Sequence, residues 1–376
     1  MVLFKEFLSK VINYKLARRG LVKPANPVTL TFSVTIACQS LCKTCGIGRM
    51  FQKNPKLREK DLKLDEIEKI FKSIGHIYFF NISGGEPYLR KDLPQIVELA
   101  CKYLSPGVIH IPTNAIASEH IRDATVGILE IMRRYNSKIP LTVKPSIDGI
   151  GEKHDEIRGV RGNFKKLLRT IELLKEIQKK YNNFYVELGT VVSNFNINDL
   201  SEIEDFVHSL GVESYRNEIA EQRTEFFNIG DPITPDADTY EKLIREFSRK
   251  IKKNINSKRH LTRITESFRL VYYNLVVKIL RKRKQVIPCY AGISNVHINH
   301  NGEVWPCCVL GYDRPMGHLR ECNYDFQKLW HSEKANRVRK YIKDGNCACP
   351  LANQAYSNIL CHFPSLIKVF KNIIFM

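Results

Sequence analysis

Three cysteines fall within eight positions in the stretch TIACQSLCKTCGIG, residues 35–48: Cys38, Cys42 and Cys45. Closely spaced thiolates are the usual ligands of iron–sulfur clusters. A [4Fe–4S] cluster has four irons, and a CxxxCxxC spacing supplies three sulfurs, so one iron is left for a ligand from outside the chain. A zinc ion with a remote fourth ligand is the alternative. No histidine lies in the stretch, and thiolate zinc sites usually pair one CxxC with a second.

The other cysteines also cluster. Cys289, Cys307, Cys308 and Cys322 fall in one region and Cys347, Cys349 and Cys361 in another, with Cys101 alone in the helical-looking LPQIVELACKYL, where a buried core thiol is expected. No continuous apolar segment opens the sequence as a signal peptide does, and no run reaches the roughly 18 apolar residues of a membrane span. A cytoplasmic chain is therefore predicted, in which eleven cysteines point to metal or redox chemistry rather than disulfides. The formal charge of +20 favours a polyanionic partner or a diffusely basic surface.

Elements that could position the first three cysteines are readable over residues 28–220. The β-rich runs VTLTFSVTIA, IYFFNIS, VIHIP, LTVKPSID, FYVELGTVVS and SYRNEIA alternate with stretches of helical apolar spacing such as LDEIEKIFKSI and NFKKLLRTIELLKEIQKKY. Six strand–helix alternations predict a parallel α/β sheet, too short for a closed eight-fold barrel and so an open, partial (β/α)6 barrel. Sites in such folds form at the C-terminal ends of the strands, and Cys38 directly follows the first strand.

The cysteine stretch resembles the signature of the radical S-adenosylmethionine (radical SAM) enzymes. SGGEP (83–87) follows the second strand, PTNA (112–115) the third, SIDG (146–149) the fourth and VVSN (191–194) ends the fifth. The resemblance implies that Cys38, Cys42 and Cys45 hold a [4Fe–4S] cluster whose open iron takes S-adenosylmethionine. It implies that Gly84, Gly85, Glu86, Pro87, Thr113, Asn114, Ser146, Asp148, Ser193 and Asn194 bind that cofactor, with the Glu86 carboxylate near the methionine ammonium. The implied chemistry is a 5′-deoxyadenosyl radical that removes hydrogen from an unactivated carbon, with an electron donor such as ferredoxin or flavodoxin as partner. Thr44 stands where the family usually has an aromatic residue or histidine, so adenine contacts must be partly rebuilt.

The C-terminal cysteines resemble the auxiliary-cluster extensions called SPASM and twitch domains. Gly302 in NHNGEV reads as a hairpin turn between Cys289 and Cys307. The resemblance implies one auxiliary [4Fe–4S] cluster on Cys289, Cys307, Cys347 and Cys349, although the last pair is CxC where CxxC is more familiar. A zinc ribbon on the same residues is the alternative, and the spacing of Cys308, Cys322 and Cys361 suits a second cluster poorly.

The expected division is an amphipathic N-terminal helix (1–27), the partial barrel (28–225), a helical connector (226–285), the SPASM/twitch-like unit (286–362) and an apolar–basic tail (363–376). Phe4, Phe7, Leu8, Val11 and Ile12 line one side of the first helix, and both ITESFRLVYYNLVVKILRKRK (264–284) and the tail are apolar with basic residues. Such segments suit an anionic membrane surface. With a resemblance to lipid-modifying members of the calditol-synthase kind, they favour a lipid-headgroup, glycan or polyol substrate. A peptide or protein maturase is the alternative, and a non-enzymatic metal protein a third. No nucleic-acid module accompanies the basic residues. No catalytic acid or base can be named; Glu218, Glu221 and Arg223 read as a solvated charged loop.

Overall fold

The computed structural model describes residues 2–212, 214–255 and 260–375. Six strands arise from the six β-rich runs: β1 (Thr29–Ser33), β2 (Phe79–Ser83), β3 (Val108–Thr113), β4 (Leu141–Pro145), β5 (Phe184–Val192) and β6 (Ser214–Ile219). Each pairs in parallel with the next, and a helix crosses over between successive strands. Alternate residues such as Phe80, Ile82, Ile109, Ile111, Leu141 and Val143 are fully buried. Phe71, on the helix Leu64–Ile74, wedges between Phe32 and Phe80 at ring distances of 5.6 Å to each.

The sheet does not stop at β1. Strand β7 (Asn295–Ile298) pairs in parallel with the free side of β1, from Thr29 opposite Asn295 to Phe32 opposite Ile298. Strands β8 (Glu303–Trp305) and β9 (Gly317–His318) continue it in antiparallel fashion, giving the order β6-β5-β4-β3-β2-β1-β7-β8-β9. Gly302, at φ +95°, takes the left-handed place in the β7–β8 turn. The auxiliary hairpin is thus part of the barrel sheet.

The N-terminal helix Val2–Arg19 divides its apolar residues. Phe7, Val11 and Tyr14 pack against Val28, Tyr78, Tyr290, Ile293 and Cys361, while Leu8 and Ile12 face solvent. The side chain of Phe4 lies outside the described residues. The single lipid-facing stripe expected over Phe4, Phe7, Leu8, Val11 and Ile12 is therefore replaced by an inward face that anchors the helix to the protein. Among the described residues, no helix is long and apolar enough to cross a membrane. The tail forms the helix Phe363–Phe375 and packs beside the helix His260–Lys282.

Candidate functional site

The cysteine loop hangs from the end of β1 and is held on both sides by backbone. Gly85 N donates to Thr35 O and Glu86 N to Ala37 O, both at 2.8 Å. Leu41 N and Lys43 N donate to Arg158 O and Ile157 O at the end of the helix Glu152–Arg158. The fit requires glycine: a Cβ on Gly85 would lie 2.2 Å from Ala37 O, and one on Gly84, at φ +113°, 2.3 Å from Thr35 O. The glycine pair thus closely approaches the chain that carries Cys38.

Glu86 is 2 % exposed and committed within the protein. Its carboxylate accepts from Thr113 Oγ1 at 2.8 Å, Asn114 N at 2.7 Å and Tyr88 N at 3.3 Å. It locks the ends of β2 and β3 together. Pro87 opens the short turn that follows. The Asn114 amide donates to Ser40 Oγ in the cysteine loop at 3.0 Å. Ser146 N donates to Thr113 O, which continues the line of strand ends.

Asp148 is 1 % exposed and accepts from Val191 N at 2.8 Å and from Arg158 at 3.1 Å. Arg158, absent from the expected site, lies in the electrostatic field of Cys38 and Cys42. Ser193 is buried and held by Asn196 Oδ1. Asn194 departs from expectation: it is exposed, and its amide donates to Pro232 O at 2.8 Å and Thr234 O at 3.3 Å. Asn196 takes the inward place and donates to Asp148 O and Val191 O at 3.0 Å each. The two asparagines are two positions apart on a turn, so sequence spacing alone does not choose between them.

Burial pushes the Cys38 thiol up to about 12, and it raises Cys42 and Cys45 as well, so this pocket favours thiolates only beside a positive centre. The three thiols lie within one another's fields. Among the described residues, the group of three or more metal-ligating side chains whose donor atoms all lie within 4.8 Å of one another is Glu225, His297 and Cys308. Cys38, Cys42 and Cys45 share one largely buried loop and act on one another electrostatically.

The same holds for Cys289, Cys307, Cys347 and Cys349, whose thiols converge electrostatically and are raised by burial, Cys307 to about 12 and Cys347 to about 11. Cys289, Cys347 and Cys349 line one cavity with Tyr272 and Gln285. Arg18 of the first helix donates to Cys289 O at 2.9 Å. Cys322 bonds to carbonyls of its own turn, Cys361 packs under the first helix, and Cys101 lies in the barrel core.

The loop after β6 runs between the two cysteine sets. It is no solvated charged loop. Arg223 pairs with Glu221 at 3.0 Å and Glu225 at 3.8 Å, and all three side chains are nearly inaccessible. Mutual pairing is what permits charges to be buried. The Cys349 and Cys308 thiols lie in the electrostatic fields of Glu221 and Glu225 respectively, and Asn228 donates to Thr44 O at 2.8 Å. Glu218, by contrast, pairs with Lys144 at 3.8 Å. A cavity at the barrel mouth is lined by Gly84, Gly85, Glu225, Asn299, His300 and Tyr312 among others.

Residues 32–207 match the family model of the radical SAM superfamily, and residues 289–350 that of SPASM, an iron–sulfur cluster-binding domain. The antilisterial bacteriocin subtilosin biosynthesis protein AlbA of Bacillus subtilis (strain 168) is 23 % identical over 340 residues, which are 87 % of this chain and 66 % of AlbA. An AdoMet-dependent heme synthase of Oleidesulfovibrio alaskensis is 24 % identical over 345 residues, 85 % of this chain and 78 % of that protein. In fold, Streptococcus suis SuiB bound to the precursor peptide SuiA aligns with a TM-score of 0.58 at 17 % identity, covering 86 % of this chain and 69 % of SuiB.

Proposed function

The chain belongs to the radical SAM superfamily of enzymes and carries a SPASM domain, with a [4Fe–4S] cluster, S-adenosylmethionine and auxiliary iron–sulfur chemistry as its cofactors, and from that premise we propose that it is a peptide maturase. When bound, the cluster and S-adenosylmethionine supply a 5′-deoxyadenosyl radical that takes a hydrogen atom from the substrate. In this reading Cys38, Cys42 and Cys45 hold the first cluster and Cys289, Cys307, Cys347 and Cys349 a single auxiliary one. The backbone of Gly84 and Gly85 and the ends of β3 to β5 seat the cofactor, with Glu86, Asp148 and Asn196 fixing those ends. Arg158 offsets thiolate charge beside Cys38 and Cys42.

The observation that carries the peptide reading is the likeness, over most of the chain, to proteins described by peptides. It is supported by the description of AlbA through a bacteriocin and by the peptide held on the SuiB fold. The relatives named above are described by a bacteriocin, a haem and a peptide, so the lipid-headgroup, glycan and polyol substrates expected from the basic segments gain no support from them.

The test uses isotope transfer. Cells of the source organism are grown on deuterated medium, and their peptide and lipid fractions are incubated separately with the reconstituted protein, S-adenosylmethionine and reductant. Deuterium should enter 5′-deoxyadenosine from the peptide fraction. Its entry only from the lipid or glycan fraction would overturn the reading.

Peripheral attachment to an anionic surface is a separate reading, compatible with a peptide substrate. Phe363, Ile367, Phe370 and Ile374 are exposed at a spacing that puts them on one face of the tail helix. A groove beside it is lined by Arg249, Lys252, Lys278, Lys368 and Lys371. Sedimentation with anionic vesicles should occur at low salt and fade as salt screens the charge. No sedimentation at low salt would remove this reading.

A further inference from the structure

We infer that Glu225, His297 and Cys308 form a third metal site, for one divalent ion of the zinc class, beside the barrel-mouth cavity that Glu225 lines. The three donor atoms come from separate elements: the loop after β6, strand β7 and the segment after β8. They nevertheless lie within 4.8 Å of one another, Glu225 and His297 buried and Cys308 partly so. His297 Nδ1 is 3.1 Å from Cys308 Sγ and 4.0 Å from Glu225 Oε1. This contrasts with the seven cluster cysteines, among which no three meet so tightly.

Three further observations favour a cation here. The buried Glu225 Oε2 has no hydrogen-bond partner, only an ion-pair contact with Arg223 at 3.8 Å, so the carboxylate is left under-satisfied. The far ring nitrogen, His297 Nε2, is 2.7 Å from Ser33 Oγ, the kind of outer contact that fixes the tautomer and aim of a metal-binding imidazole. Trp305 flanks the same ring at 4.8 Å between centroids and holds its plane.

The donor chemistry agrees. Binding releases the Cys308 thiol proton to solvent and changes no oxidation state. A carboxylate, an imidazole and a thiolate make a mixed O/N/S set that zinc accepts. Three protein ligands leave a fourth position, as in zinc sites that take water or substrate. Because Glu225 also lines the small cavity that carries Gly84 and Gly85, the open position is suited to a water molecule.

The site is tested on the holoenzyme with both iron–sulfur clusters reconstituted, using zinc alone as the probe. After equilibration with zinc chloride and gel filtration, about one zinc per chain should remain, with a zinc-edge X-ray absorption spectrum that shows one sulfur near 2.3 Å and nitrogen or oxygen near 2.0–2.1 Å. His297→Gln and Glu225→Gln should each reduce zinc to background at unchanged iron content. Ser33→Ala should weaken zinc binding by about 10–100-fold. Failure of the wild-type holoenzyme to retain zinc overturns the site, leaving a metal-free thiol–imidazole contact. A sulfur-only zinc shell also overturns it, by assigning the metal to displaced cluster cysteines. The wild-type spectrum decides even where a variant fails to fold.

Discussion

Arg158 and Asp148 form an ion pair of 3.1 Å with side chains only 11 % and 1 % exposed, and the same arginine lies in the field of Cys38 and Cys42. One guanidinium therefore serves both the end of β4 and the cysteine loop. Replacing it with Met leaves Asp148 buried without its counter-charge, which costs about 3–5 kcal/mol. Anaerobic guanidinium denaturation should show the loss as a lower midpoint. The double variant Arg158→Met/Asp148→Asn should lose less than the two single losses added together, because the groups are coupled. An unchanged midpoint in Arg158→Met would show that the pair has no such part in stability.

The glycine turn makes a sharper contrast. Gly85→Ala places a Cβ 2.2 Å from Ala37 O and must shift the cysteine loop, whereas a Cβ on Gly127, in the helix Ser118–Asn136, meets nothing within 4 Å. Gly85→Ala should lower iron bound at the first cluster and abolish 5′-deoxyadenosine formation. Gly127→Ala should keep both and gain up to about 1 kcal/mol from helix propensity. Iron analysis and a cleavage assay on the two variants make the comparison, and full activity in Gly85→Ala would contradict the packing argument.

Cys42→Ala should lose S-adenosylmethionine cleavage outright. With Cys38, Cys42 and Cys45 all replaced, about four irons per chain should stay, held by the auxiliary cysteines as one [4Fe–4S] cluster. About eight remaining irons would require a second auxiliary cluster, for which Cys101, Cys322 and Cys361 are placed too far into separate surroundings.

Acid should loosen the contact between barrel and hairpin region. Glu66 accepts from Arg320 at 2.7 Å and from Tyr324 at 2.8 Å, and these bonds hold its carboxyl down to about 2 against desolvation, which acts upward. A carboxyl depressed in the folded state contributes stability above its unfolded value, and that contribution fades as pH falls towards the folded one. Stability measured by denaturation should therefore decline between about pH 4.5 and pH 2, and Glu66→Gln should flatten that part of the profile. An unaltered slope in the variant would remove Glu66 as its source.

The six parallel strands were legible because Phe80, Ile82, Ile109 and Ile111 alternate with half-exposed neighbours between helical periods. The ends of β2 to β5 were legible because Gly, Asn and Asp punctuate them. Partners distant in sequence were not. Arg158 reads as a helix-end cation, and only the fold turns it towards Asp148. Glu221 and Arg223 read as solvent-exposed because their burial, with Glu225 as the third charge, depends on pairing in space. His297 and Cys308 look like an ordinary strand residue and a surplus thiol until β7 docks on β1. That docking was itself hidden, since parallel pairing leaves no turn signal.

The β1–β7 pairing also has a consequence for how the chain is made. Thr29 and Asn295 are partners in the ladder although most of the chain separates them. While the ribosome has delivered only the first six strands, β1 is a bare edge with open hydrogen-bonding groups, the state in which nascent sheets stick to one another. The same interval keeps one flank of the cysteine loop accessible, so a cluster-delivery protein would find its widest opening before β7 arrives. Late closure of the ladder makes metal loading and the docking of β7 competing events.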